Sequence, residues 1–200
     1  MCGSAADPHG DVPERQFGWW DMFVAPEDDP REEGGELTGE RDTLVRYLRN
    51  QRLTLPLKCT GLDAVGMAKR SVEPSDLSLL GLVRHLAGAE QYWFRIVMAG
   101  QDVPRLYRPG GDRSIVFTGA VADPELVAEA WEAWRSEVAF AEQFVDQAPD
   151  LVVAGVIVRD GTALGSIALR EVMLHMIEEY ARHLGHADFL RERIDGRVGQ

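Results

Sequence analysis

Cysteine is scarce in this 200-residue sequence. Cys2 and Cys59 are its only two cysteines, and no CxxC motif occurs. Two cysteines cannot build a disulfide framework. Cys59 falls near the end of the first predicted helix, where we expect it to act as a small, inert apolar residue. The chain therefore offers no well-placed cysteine nucleophile of its own.

Long apolar runs and a basic leader are also absent. No apolar stretch approaches the length of a membrane span, and the opening residues, MCGSAADPHGD, lack a basic region followed by an apolar one. We therefore expect a cytoplasmic protein without a membrane partner. A formal net charge of −12 disfavours binding to nucleic acid. The P-loop, GxGxxG, GxSxG and HExxH motifs do not occur either.

The first 36 residues differ in composition from the rest. They carry ten acidic residues against two arginines and contain four prolines. We expect residues 1–36 to form an acidic, partly disordered segment. Its aromatic cluster contains Trp19, Trp20 and Phe23, which we expect to pack onto the rest of the chain or onto a second copy in a homodimer. The alternative is an aromatic lid over a ligand cleft.

Four long segments after this region place apolar residues at helical spacing. The predicted helices cover about residues 38–59, 75–99, 123–147 and 166–194. The pattern predicts an all-α fold: a four-helix bundle with a long connection, spanning residues 37–196 and followed by a tail at 197–200. A short strand or hairpin is predicted within residues 149–165, where LVVAGVIV is followed by an Asp-Gly turn.

Residues at the helix ends support these boundaries. Thr38 is expected to cap the first helix, and Ser75 or Ser78 the second. Asp123 followed by Pro124 is typical of a helix start. Pro56 should kink or stop the first helix.

The last helix carries two polar residues within its apolar stripe. Glu179 and His183 are four residues apart, so their side chains lie one above the other on the inward face. An unpaired carboxylate in a core is very costly. One imidazole and one carboxylate at this spacing form half of a metal site. The alternative is a hydrogen-bonded Glu–His pair satisfied within the core.

Other candidates lie at the edges of apolar stripes. His85 lies at one edge of the second helix and Glu90 near the other, whereas Arg84 and Gln91 fall on the far side. A histidine in such a position is either a metal ligand or a satisfied boundary residue. His175 and His186 lie at the edge of the apolar stripe of the last helix and are poorer ligand candidates. Trp131 and Trp134 are expected to be core or dimer-contact residues.

Two of these segments resemble a known superfamily. LSLLGLVRHLAGAEQYWFR (residues 77–95) and LREVMLHMIEEYARHLGHADFLRERIDG (residues 169–196) are similar to the DinB/YfiT-like proteins, and closest to an uncharacterised, mainly actinobacterial subgroup. The resemblance covers about residues 37–196 and extends to the mycothiol-dependent maleylpyruvate isomerases. It implies a four-helix bundle of DinB/YfiT-like type with a long crossover connection.

The resemblance also implies a metal site and an activity. Such proteins bind a divalent metal, for which zinc or nickel suits the ligand chemistry best. The matching ligands in this chain are His85, Glu179 and His183. Beside this set, we expect His175, Arg182 and His186 to orient the ligands or the substrate without binding the metal themselves. The implied activity is a thiol transferase or isomerase that joins a mycothiol- or bacillithiol-type thiol to a small-molecule electrophile. A coordinating thiol is deprotonated, which makes it nucleophilic.

Two alternatives to the thiol enzyme remain open from the sequence. Three protein ligands leave a coordination position that water can also take, which would suit a metal-dependent hydrolase. A stress or interaction protein without turnover is the other, since fold does not determine function.

Overall fold

The computed structural model describes residues 23–32, 35–159 and 161–199, and it is built mainly of helices. The helices are α1 (Glu40–Cys59), α2 (Ala64–Ala68), α3 (Leu79–Glu90), which continues as a π-helix (Gln91–Met98), α4 (Ile115–Thr118), α5 (Pro124–Gln147) and α6 (Leu169–Asp195). Strands β1 (Ala154–Arg159) and β2 (Thr162–Ala168) form an antiparallel hairpin. The predicted all-α bundle is confirmed. No helix in the described ranges is long and apolar enough to cross a membrane.

The bundle has one long crossover. Helix α1 packs against α6, α6 against α3, and α3 against α5. Arg95 bonds Glu137, and Arg84 interacts electrostatically with Glu129, so α3 and α5 run in the same direction. Parallel neighbours cannot be joined by a tight turn. Residues 99–123 therefore return along the bundle, as the predicted long connection requires.

The predicted capping residues lie at the helix starts, with one exception. The Ser78 hydroxyl accepts a hydrogen bond from the Gly81 amide at 3.1 Å, and Asp123 accepts one from the Glu125 amide at 2.8 Å. Helix α1, however, begins at Glu40 after an uncapped Gly39. The hydroxyl and amide of Thr38 both donate to the Asp42 carboxylate instead. The prediction that Thr38 caps α1 was therefore wrong.

Helix α1 ends at Cys59 as predicted, whereas α6 begins later than predicted. Pro56 lies inside α1, which continues to Cys59. Helix α6 begins at Leu169, three residues later than predicted, because residues 166–168 belong to β2. The hairpin turn passes through Gly161, whose φ of 74° favours glycine.

The hairpin packs closely on the π-helix at one glycine. A Cβ atom on Gly155 would lie 2.6 Å from the Val97 carbonyl oxygen and 2.8 Å from the Met98 sulfur. Only glycine permits this approach of β1. The contact places the hairpin beside the C-terminal half of the α3 segment.

The far side of α3 is buried, although the sequence placed polar residues there. The crossover covers it. The Gln91 side chain accepts a hydrogen bond from the Leu106 amide at 2.9 Å and donates to the Pro104 carbonyl at 3.2 Å. The Arg84 guanidinium lies 4.4 Å from the centre of the Tyr107 ring. Polar residues that would face solvent on an isolated helix thus hold the crossover in place.

One residue from each long helix joins a buried polar network. The Arg52 guanidinium donates two hydrogen bonds to the Glu90 carboxylate, both at 2.8 Å. The Tyr180 hydroxyl donates to Glu90 at 2.9 Å, and Trp134 Nε1 donates to the Tyr180 oxygen at 2.8 Å. Burial, followed by the charge of Glu90, raises the pKa of Tyr180 well above its ordinary value. The hydroxyl therefore stays protonated and continues to donate.

The aromatic cluster near the N-terminus is described only in part. Trp19 and Trp20 lie outside the described residues. The Phe23 ring packs on three cations at the ends of α1 and α6: Lys58, Arg191 and Arg197, at 5.1, 5.2 and 4.5 Å from its centre. Phe23 thus packs onto its own chain. A homodimer stays a prediction.

Replacing Glu90 with alanine should destabilise the fold by about 3–5 kcal/mol, because the buried Arg52 guanidinium then loses both hydrogen bonds to Glu90 and keeps only the exposed Glu142 carboxylate at 3.6 Å. Urea unfolding monitored by circular dichroism measures this loss. The double variant Arg52→Met/Glu90→Leu should recover much of it, since no charge then remains buried. As a control, Glu132→Ala breaks an exposed ion pair with Arg135 and should cost about 0.5 kcal/mol or less. A loss in Glu90→Ala as small as in the control would contradict the role of the network.

Candidate metal centre and cleft

His85, Glu179 and His183 converge between α3 and α6. His85 Nε2 donates a hydrogen bond to Glu179 Oε1 at 2.8 Å, and His183 Nε2 lies 3.6 Å from the same oxygen. The two imidazole rings are 4.5 Å apart at an angle of 61°. One potential ligand atom from each residue lies within 4.8 Å of the others. The structure therefore brings together the three residues singled out in the sequence.

The local packing explains how His85 meets the other two. Phe117 of α4 stacks on the His85 ring with centroids 5.8 Å apart and planes at 25°. A Cβ atom on Gly81 would lie 2.9 Å from the Phe117 ring. The absence of a side chain at Gly81 thus lets α4 press Phe117 against the imidazole and limit its rotation.

The centre is partly shielded from water and holds a charged carboxylate. Its side chains are 22%, 17% and 13% exposed for His85, Glu179 and His183. Hydrogen bonding to His183 and then to His85 holds the pKa of Glu179 well below its ordinary value, although burial acts in the opposite direction. Glu179 is therefore an anion at neutral pH, with both imidazoles directed at one of its oxygens.

The neighbouring histidines take different positions. His186 Nδ1 lies 3.3 Å from His183 Nδ1, on the side of the ring away from Glu179. Burial, followed by the charges of His183 and Arg182, lowers the pKa of His186. His175 places its ring 4.8 Å from Trp93 in an edge-to-face contact. Arg182 itself is exposed.

A cleft of about 1120 Å³ opens beside the three-residue centre. His85, Glu179 and His175 line one part of it. The π-helix contributes Tyr92 and Trp93, the hairpin contributes Ile157 and Val158, and the crossover contributes residues 104–106, 108–111 and 113. The centre is thus reached through a cavity large enough for a small molecule.

Several cleft residues had no role in the sequence analysis. Tyr92 and Trp93 follow His85 within the quoted QYWFR stretch, but helical periodicity did not separate them from core residues. The sequence of the crossover could have indicated a cationic site, because it contains Arg105, Arg108 and Arg113 and no lysine. Their convergence depends on the path of the crossover, which residue spacing does not reveal.

The described cysteine takes no part in the cleft. Cys59 is buried and lies on the opposite end of α1 from Glu40. Burial raises the pKa of its thiol to about 12. As expected from the sequence, this side chain is an inert apolar residue and not a nucleophile.

Comparison with known proteins identifies one match. The family model described as Mycothiol-S-transferase matches residues 43–196. No curated protein and no solved structure matches the chain. The match covers both segments that resembled the DinB/YfiT-like superfamily and its mycothiol-dependent members, and it confirms that resemblance.

Cys59 should resist thiol reagents in the folded protein at pH 8, because its raised pKa keeps the buried thiol protonated. The measurement is labelling by 5,5′-dithiobis(2-nitrobenzoate) in a Cys2→Ala variant, so that Cys59 is the only thiol. We expect less than about 5% labelling before urea is added, and one thiol per chain after unfolding. Rapid labelling of the native variant would show that the thiol is accessible.

Proposed function

Because the chain belongs to the mycothiol-S-transferase family, we propose that it transfers the sulfur of mycothiol to a small electrophile with the help of a divalent metal. The observation that carries the proposal is the convergence of His85, Glu179 and His183, of which His85 and Glu179 line the cleft. The metal ligands, the metal and the electrophile are all part of this proposal.

The chemistry of the three residues fits such a metal. Two imidazole nitrogens and a carboxylate oxygen are the donors of a three-ligand site that leaves room for a substrate. Zinc and nickel both suit nitrogen and oxygen donors. An ordinary buried Glu–His pair needs only one histidine, whereas here two imidazoles face the same carboxylate oxygen. The second histidine favours a metal over a simple hydrogen bond.

The residues around the centre have separate tasks in this proposal. When bound, the metal lowers the pKa of the substrate thiol, so that the sulfur is nucleophilic at neutral pH. His186 contacts the far nitrogen of His183 and holds the ring with Nε2 directed at the centre. Trp93 and Ile157 line the cleft with apolar surface that displaces water from the reacting atoms.

His175 is placed to orient the bound reactants. It lies one helical turn before Glu179 on α6 and lines the same cleft. Its contact with the Trp93 ring fixes the imidazole. In the reaction, the sulfur forms a bond to the electrophilic carbon, the leaving group departs with the bonding electron pair, and the thiol proton passes to solvent.

Purified protein should hold about one divalent metal per chain, because its ligands are preorganised by α3 and α6. His183→Ala should abolish binding, and His85→Ala and Glu179→Ala should weaken it strongly. Elemental analysis of the freshly purified protein and variants is the measurement.

Two nearby histidines serve as matched controls for this ligand set. His175→Ala and His186→Ala should keep the metal, with an affinity loss of no more than about 10–100-fold if they support the ligands. Stoichiometric metal in His183→Ala would refute the assignment, as would loss of metal from His175→Ala alone.

Conjugation of mycothiol to an electrophile should require the metal-loaded protein. Mass spectrometry of the adduct measures the product, with metal-stripped protein as the control and bacillithiol as the comparison thiol. The rate should fall in acid, because protons compete with the metal for its ligand atoms. Cys59→Ala should keep the rate, since its thiol is buried away from the cleft. Equal rates with stripped and loaded protein would contradict the proposal, and release of a hydrolysed electrophile without adduct would indicate a metal-dependent hydrolase.

A further inference from the structure

Three arginines of the crossover converge on the cleft that contains the proposed metal centre. Arg105, Arg108 and Arg113 all line it. Arg105 and Arg108 are half-buried, and Arg113 is exposed. The chain as a whole carries a net charge of −12. A cluster of positive charge inside a cleft of such an acidic protein is therefore a local feature that focuses attraction for anions on this cleft.

No carboxylate neutralises these arginines within the described ranges. None of the three forms an ion pair there, whereas Arg31 and Arg95, which are also half-buried, each pair with a carboxylate. Asp112 lies between them in sequence, but its carboxylate accepts hydrogen bonds from the amide and hydroxyl of Ser114, both at 2.8 Å. The charges therefore face one another and the open cleft without an anionic partner.

The three guanidinium groups also repel one another. Burial lowers the pKa of Arg105, and the nearby charges of Arg108 and Arg113 lower it further. Burial and then Arg113 act in the same way on Arg108. Like charges brought together in a partly desolvated cavity destabilise the free protein. A bound anion would relieve this repulsion.

The crossover holds the arginines in a defined position. Tyr107 has a φ of 53°, which is unusual for a residue other than glycine, and its ring turns inward under Arg84. The Gln91 side chain bonds the backbone on either side of Arg105, at Pro104 and Leu106. Backbone strain of this kind occurs at functional sites, where the surrounding structure maintains it. The arginines flanking Tyr107 are thus part of a fixed wall.

An aromatic ring supports one of these charges from below. The Arg105 guanidinium lies 4.1 Å from the centre of the Tyr92 ring, which itself lines the cleft. A planar guanidinium stacked on an aromatic ring keeps its edge free to bind an oxyanion through two parallel hydrogen bonds. Arg105 is therefore oriented for this type of ligand.

We propose that Arg105, Arg108 and Arg113 form an oxyanion subsite that binds a carboxylate group on the electrophilic substrate. This rests on the proposed function, in which the sulfur of the thiol is directed to His85, Glu179 and His183. The electrophile is then the reactant that needs a separate anchor in the same cleft. A carboxylate held by the arginines positions the electrophilic carbon toward the sulfur.

Two matched electrophiles test the subsite. We would compare 2-chloro-N-(4-carboxyphenyl)acetamide with 2-chloro-N-phenylacetamide, which differ by one carboxylate, using metal-loaded protein and mycothiol. The KM for the carboxylated compound should be at least about tenfold lower, as one charge-assisted contact can supply. Arg105→Gln and Arg108→Gln should each remove most of this preference and leave the KM for mycothiol nearly unchanged.

Control variants separate this effect from general charge or folding. Arg135→Gln removes an exposed arginine of α5 and should keep the preference. Metal content should be the same in all variants, and no variant should have a lower thermal midpoint than the unmodified protein. If Arg105→Gln fails to fold, the less buried pair Arg108→Gln and Arg113→Gln carries the test. Equal KM values for the two compounds, or a variant that raises the KM for mycothiol instead, would overturn the subsite on the electrophile.

A binding measurement distinguishes failure of the subsite from failure of the proposed reaction. The inert analogues 4-acetamidobenzoate and acetanilide cannot be conjugated. Suppose that calorimetry shows binding of 4-acetamidobenzoate but not of acetanilide, and that Arg108→Gln abolishes this binding. This result supports the subsite even if no turnover occurs with mycothiol. Turnover of both electrophiles without selective binding of 4-acetamidobenzoate supports the transferase and rejects the subsite. Absence of both turnover and selective binding rejects both.

Discussion

The contact between Arg52 and Glu90 in the centre of the bundle determines how the other elements meet. A carboxylate with no solvent exposure requires a partner, and α1 supplies it. Glu90 lies five residues after His85, and Tyr180, which also bonds Glu90, directly follows Glu179. The network thus sets the register of α3 against α6. A shift of either helix by one turn would break its hydrogen bonds and separate His85 from Glu179.

The candidate centre therefore lies between the buried polar network and the open cleft. Glu179 and Tyr180 are adjacent on α6, but their side chains have different surroundings. Tyr180 belongs to the buried polar network, and Glu179 faces two histidines beside the cleft. The rigid helices supply the centre, while the π-helix, hairpin and crossover supply the walls. Binding residues on connections held by a rigid scaffold are common in enzymes.

Helical periodicity was sufficient to predict the bundle and the inward position of Glu179 and His183. The Asp123–Pro124 start and the hairpin were also recognisable, because they depend on local chemistry. The burial of Arg84 and Gln91 was not recognisable, because both would be polar surface residues on an isolated helix. The crossover, which covers them in the folded protein, is distant in sequence. The convergence of Arg105, Arg108 and Arg113 escaped prediction for the same reason. Spacing along one helix does not report what a distant loop brings to it.

The crossover is attached to α3 through Gln91 and Tyr107, yet Arg52, Glu90, Tyr180 and Trp134 all belong to the long helices. The residues that we propose to bind the electrophile are consequently separated from the residues that maintain the fold. Substitutions among the exposed and half-buried positions of the crossover can change which molecules enter the cleft at little cost in stability. Sequences that share this bundle could therefore differ in substrate while they keep the same proposed metal centre, because a shared fold does not determine the substrate.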